Sequence, residues 1–163
     1  MAAKKPSYNG HLTKNFGYQE MIKSSTADRL GISNDATREH VINLVNLCNF
    51  ILQPVRDEFG PIRINSGYRS PALNKAVGGS KTSQHCNGQA ADFESTKISN
   101  PDLAKWIEKN LVFDQLILEF YDGVDPNSGW VHCSYVLDGS NRNKTMTALR
   151  VNGKTQYKPG LLS

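Results

Sequence analysis

The sequence predicts an α+β fold: a small antiparallel sheet, packed against helices and carrying the candidate site. Three observations point that way. Apolar residues recur at helical spacing from Val41 to Phe59. Short runs around residues 62–66, 89–94, 115–120 and 130–136 have the β-prone, alternating character of strands. Asn152-Gly153 lies between two further β-prone runs and favours a type I′ hairpin turn. The 163 residues fit one domain with a sizeable core, and 38% hydrophobic with 21% charged residues is ordinary for a globular chain.

In chain order, residues 1–11 are polar and expected to be loosely held, and the domain is expected to run from 12 to 163. Phe16, Tyr18, Met21 and Ile22 suggest a short amphipathic turn of helix covering the main body. The long helix follows, with Asn34 or Asp35 as the expected acceptor for its free N–H groups. Its apolar stripe runs through Val41, Leu44/Val45, Cys48, Ile51/Leu52, Val55 and Phe59, and Gly60-Pro61 stops it. Pro54 should kink or split it, because proline donates no hydrogen bond and its ring crowds the preceding turn. Cys48 on the stripe reads as a small packed hydrophobe. The strand Ile62–Ser66 leads into Gly67-Tyr68-Arg69, then Ser70-Pro71 opens a short helix that Gly78-Gly79 ends. Asn100-Pro101 opens a helix to about Lys109, with Leu103, Trp106 and Ile107 on its buried face. Residues 121–128 form a turn, and Ala148–Tyr157 a hairpin.

The chemistry centres on residues 83–92, Ser-Gln-His-Cys-Asn-Gly-Gln-Ala-Ala-Asp. Here an imidazole sits in a Gly-containing turn and a carboxylate follows seven residues on, within a strand. Alternation puts Ala90, Asp92 and Glu94 on one face and Ala91 and Phe93 on the other. A second imidazole, His132, shares a face with Trp130 and Ser134 in the strand-like run after residue 129. Two imidazoles and a carboxylate are the donors of a three-ligand catalytic zinc site with its fourth position left for water. The residues alone also fit a hydrogen-bonded loop His beside a solvated Asp. Cys133 points away if His132 points in, so it is excluded as a ligand, and Cys86 is doubtful.

Residues Ser83, His85, Gly88, Ala90 and Asp92 match the Ser-x-His-x-x-Gly-x-Ala-x-Asp signature with no position missing. Together with Ser66-Gly67-Tyr68-Arg69-Ser70-Pro71 upstream and Trp130-Val131-His132-Cys133-Ser134 downstream, this resembles the zinc D-alanyl-D-alanine carboxypeptidase family. That family includes vancomycin-resistance D,D-dipeptidases and phage L-alanyl-D-glutamate endolysins. The similarity runs from about Leu12 to Asn141-Arg142 and is strongest in kind to the carboxypeptidase-like branch of phage and bacterial genomes.

The resemblance implies the zinc D-Ala-D-Ala peptidase (Hedgehog-like) fold, one Zn²⁺ per chain on His85, Asp92 and His132, and cleavage of peptidoglycan stem peptides. It makes Arg69 the group that handles a carboxylate or a developing oxyanion, with Ser83 and Tyr68 as further substrate contacts. Several members carry an acid three positions before the last His, but here that position is Gly129. Glu119, on the Gln115/Ile117 strand face, is the best substitute for the catalytic base, with Asp122 and Asp125 as alternatives. Without an acid at the metal, the scaffold would be a zinc-containing module that binds wall peptides.

The net charge of +4 is spread along the chain, and no aromatic-basic block of the kind that binds nucleic acid is present. No apolar run approaches the ~20 residues of a membrane span. Met1–Pro6 lacks an apolar stretch behind its charges, which predicts synthesis in the cytoplasm without a signal peptide. Action on the wall would then follow release, or occur as part of a virion. Three cysteines without paired spacing argue against a disulfide framework, and a monomer is expected.

Overall fold

In the computed structural model, which describes residues 10–162, six strands form one sheet in the order β1-β2-β4-β3-β5-β6. The strands are β1 (Ile62–Ser66), β2 (Ala90–Ser95), β3 (Gln115–Glu119), β4 (Trp130–Ser134), β5 (Lys144–Val151) and β6 (Lys154–Pro159). Neighbours pair antiparallel except β3 and β5, which run parallel. The sheet is therefore mostly antiparallel rather than wholly so. The parallel pair follows from the crossover that brings the chain from β4 back to the far side of β3. Asn152 and Gly153 both have positive φ (51° and 75°), as a type I′ turn requires, and β5 starts four residues before the expected hairpin.

The helices are α1 (Tyr18–Ile22), α2 (Ser25–Leu30), α3 (Arg38–Leu47), α4 (Gln53–Phe59), α5 (Pro71–Ala76) and α6 (Asn100–Asn110). The long helix is not interrupted by a break. It passes through a π-helical segment at Cys48–Leu52, with Pro54 in the first turn of α4. A widened turn before the ring accommodates the missing donor, as a local π bulge can. Thr37, not Asn34 or Asp35, caps α3, its hydroxyl accepting the His40 N–H at 3.3 Å. Ser99 rather than Asn100 caps α6. α2 is capped by Ser24, whose hydroxyl accepts the Ala27 N–H at 3.1 Å. Of the segment expected to be loose, residues 1–9 lie outside the described residues. His11 pairs with Gly17, and the Gly10 carbonyl accepts the Tyr18 N–H.

Strand alternation divides the sheet into two chemically different faces. Ala91, Phe93, Leu116, Leu118, Val131 and Cys133 are fully buried in a core with Leu44, Ile51 and Val55 of the long helix and Leu103 and Ile107 of α6. Burying each large apolar side chain there contributes roughly 1.5–3 kcal/mol. The opposite face carries the polar groups in cross-strand rungs. One rung is Asp92–His132–Ile117–Met146, and the next is Trp130–Glu119–Ala148–Tyr157. No helix among the described residues is long and apolar enough to cross a membrane.

Candidate active site

His85 is delivered by a 3-10 turn, Gln84–Asn87, whose entrance Ser83 caps by accepting the His85 N–H at 3.3 Å. Gly88 ends the turn at φ 71°, and a Cβ there would run into the His40 carbonyl, so this position needs glycine. The His85 ring is buried, with Nδ1 2.7 Å from the Gly67 carbonyl. A carbonyl can only accept, so Nδ1 carries the proton and Nε2 keeps its lone pair. Nε2 lies 3.4 Å from Asp92 Oδ1, and His132 Nδ1 lies 2.9 Å from the same oxygen. The three side chains offer ligand atoms that all lie within 4.8 Å of one another.

Each protonation tendency has a physical cause. Burial pushes the pKa of His85 down, with Asp92 opposing it, so the ring stays neutral. Burial would raise the pKa of Asp92, but the electrostatic influence of the adjacent His85 imidazole and the hydrogen bond from His132 Nδ1 hold it well below the usual carboxylate range. A neutral imidazole and an ionised carboxylate are the forms a metal needs. Burial also opposes charge on His132, yet the hydrogen bond to Asp92 and the charges of Asp92 and Glu119 outweigh it and raise its pKa. Such a concentration of negative charge around two imidazoles suits a dication. Nitrogen donors favour zinc over calcium or magnesium, which prefer oxygen alone.

Glu119 joins this group, its Oε1 3.8 Å from His132 Nδ1. Burial, reinforced by the Asp92 charge and opposed by His132 and Arg69, pushes its pKa up to about 7. Asp122 and Asp125 do not line the cleft. Their carboxylates accept backbone N–H groups of their own loop. Position 129, three before His132, has room only for glycine. It has φ 68°, and a Cβ there would overlap the Glu119 carbonyl oxygen.

A cleft of about 640 Å³ opens over these groups, lined also by Arg69, Ser83, Gln115, Trp130, Arg142, Arg150 and Tyr157. Arg69 is held through its backbone N–H on the His85 carbonyl at 3.1 Å. Its turn is braced by buried Asn34, whose amide donates to the Ile22 and Tyr68 carbonyls and accepts from Ser70 N–H. The Arg69 Nε is buried without a protein partner. Tyr68 does not fit its expected place on the substrate path. It is 4% exposed, packs beside His40 and is absent from the cleft wall, because the turn directs its ring into the core. Cys48 and Cys133 are buried thiols with pKa values raised by burial, so neither is poised for chemistry.

Sequence reasoning missed two features. Asp114 holds Arg142 in a two-pronged contact (2.9 and 2.7 Å) and accepts from Gln84, the neighbour of His85. Arg150 and Tyr157 reach the cleft from the C-terminal hairpin, and only the β3–β5 pairing, which leaves no mark on local sequence, brings them there.

Residues 14–134 match the family described as Peptidase M15. That span covers most of the chain and contains His85, Asp92, Glu119 and His132. The chain belongs to the peptidase M15 family. No curated protein compared with it matches significantly.

Proposed function

We propose that this chain is a zinc metallopeptidase that hydrolyses peptide bonds in the stem peptide of peptidoglycan, as a D-Ala-D-Ala-type carboxypeptidase or a murein endopeptidase. The observation that carries the reading is the convergence of His85, Asp92 and His132, with the Glu119 carboxyl at their side. Zinc, when bound by those three residues, supplies a Lewis acid and lowers the pKa of a coordinated water. The remaining work belongs to the protein. Glu119 takes a proton from the attacking water and returns it to the leaving amine, a task suited to a group titrating near the working pH. The Gly67 carbonyl fixes the His85 tautomer. Arg69 offers a guanidinium fork to a substrate carboxylate or to the developing oxyanion, and its partnerless buried Nε is consistent with that task. Ser83 contributes the cap that sets the His85 turn and lies on the cleft wall.

The wall-peptide substrate, the carboxypeptidase-like branch and the setting rest on the resemblance. That setting is a lysin or a virion-associated hydrolase acting on the wall. The test is metal analysis of purified protein together with hydrolysis of peptidoglycan and D-Ala-D-Ala peptides, with and without chelator. One zinc per chain and chelator-sensitive cleavage are expected, and His85→Ala, Asp92→Ala and His132→Ala should each lose metal and activity. Wild-type hydrolysis by metal-free protein and by all three variants would overturn the assignment.

A further inference from the structure

We infer that the β5–β6 hairpin adds a second substrate-carboxylate subsite to the cleft, with Arg150 as its cation and Tyr157 as its hydrogen-bond donor. The inference rests on the peptidase reading above and extends it to substrate choice. The hairpin lies outside the matched family segment, which ends at residue 134, yet it supplies two side chains to the cleft wall. Its place is set by backbone pairing. Tyr157 stands opposite Ala148, and Ala148 opposite Glu119, so phenol and carboxyl flank a single methyl in one rung. Arg150, two residues beyond Ala148, shares that face.

Arg150 is held rather than free to wander. Its guanidinium carbon lies 5.0 Å from the centroid of the Phe120 ring, a cation–π contact. Phe120 packs edge-on against Trp130 at 5.4 Å and has φ 57°, a left-handed conformation that costs a non-glycine residue about 1–2 kcal/mol.

The three guanidinium groups on the cleft wall differ in their partners. Arg142 is taken by Asp114, whereas no ion pair among the described residues involves Arg69 or Arg150. Arg150 is exposed at the mouth of the cleft and has no protein anion among the described residues to neutralise it, so its planar fork is free to take a substrate carboxylate. The Tyr157 phenol, exposed at the cleft mouth, is a donor at neutral pH, and partial desolvation with the nearby Glu119 and Asp92 carboxyls moves its pKa further up. With Arg69 and Arg150 both available, the site suits a peptide bearing two carboxylates.

The test compares hydrolysis of two stem pentapeptides, identical except that the glutamyl α-carboxyl is free in one and amidated in the other. Wild-type protein should favour the acid by about tenfold or more in kcat/KM, the scale of one charge-assisted hydrogen bond. Arg150→Gln should bring the acid-to-amide ratio near one, mainly through KM. Arg150→Lys should keep part of the preference, and Tyr157→Phe should lower it in part. Arg69→Ala should slow both peptides and keep the ratio. Metal content and unfolding midpoint should match wild type in the Arg150 and Tyr157 variants. Equal kcat/KM for the two peptides, or an undiminished preference in Arg150→Gln, would overturn the subsite and leave the peptidase reading standing. Failure of wild-type protein to cleave either peptide would overturn both.

Discussion

Replacing Gly129 with glutamate would restore the acid that several family members carry three positions before the last His, and it should fail to restore a base. Two costs follow from the backbone. At φ 68°, any side chain other than glycine's costs about 1–2 kcal/mol. The added Cβ would also overlap the Glu119 carbonyl oxygen and come within 2.7 Å of the Phe120 carbonyl carbon. Both neighbours are backbone, so relief requires β3 and β4 to part at their paired ends, which overpacking data put at about 1–3 kcal/mol. The sum is about 2–5 kcal/mol, against a total stability on the order of 5–15 kcal/mol. For a chain of this size that lowers the melting midpoint by roughly 4–20 °C. Gly129→Ala isolates the Cβ effect in a denaturant titration. Gly129→Glu combined with Glu119→Gln asks whether the acid works from its other address. Glu119→Gln alone should keep metal and lose about 10²-fold in kcat. A Gly129→Ala protein within 0.5 kcal/mol of wild type (about the limit for an innocuous surface change), or a double variant with recovered turnover, would refute the reasoning.

Arg69→Ala should retain metal but lose most of kcat/KM, and Arg69→Lys should recover only part, since a point charge cannot make two-pronged contacts; unchanged kinetics would return Arg69 to a solvated turn. Asn34→Ala strands two carbonyls and one N–H and should cost about 2–4 kcal/mol in chemical denaturation, a loss under ~1 kcal/mol contradicting its bracing role. Asp114, held by Arg142 and Gln84 against burial, has its pKa lowered from 3.8 to about 2. Its contribution is therefore present above about pH 4 and lost as pH falls towards 2, amounting to about 2 kcal/mol. Denaturation of wild type and Asp114→Asn at pH 7 and pH 3 should show that gap narrowing on acidification.

The elements that carry strong local periodicity were legible. Alternation set Asp92 with Ala90 and Glu94, opposed Cys133 to His132, and aligned Glu119 with Gln115 and Ile117. The structure has Asp92, His132, Gln115, Ile117 and Glu119 on one sheet face and Cys133 on the other. Illegible parts depend on pairings between distant segments. Asn34 looks like a helix cap by residue type, but the cap fell to Thr37 and Asn34 became a strut across the Arg69 turn. Tyr68 sits in a turn that reads as exposed, yet the turn folds inward. The Asp114–Arg142 clasp spans 28 positions, and the roles of Arg150 and Tyr157 depend on a parallel pairing that no turn motif announces.

The rung that joins Asp92 to His132 also governs when the site comes into being. Its members are forty residues apart, and Glu119 enters only after β3 has docked beside β4. Pairings of such long sequence separation form late, because loop closure must be met before contacts reward it. A partly folded chain can hold the local His85–Asp92 pair, but the full donor set waits for His132. On the zinc reading proposed above, metal capture is a reaction of the completed sheet, and a bound ion would be a ligand of the native state, pulling the folding equilibrium towards it by mass action.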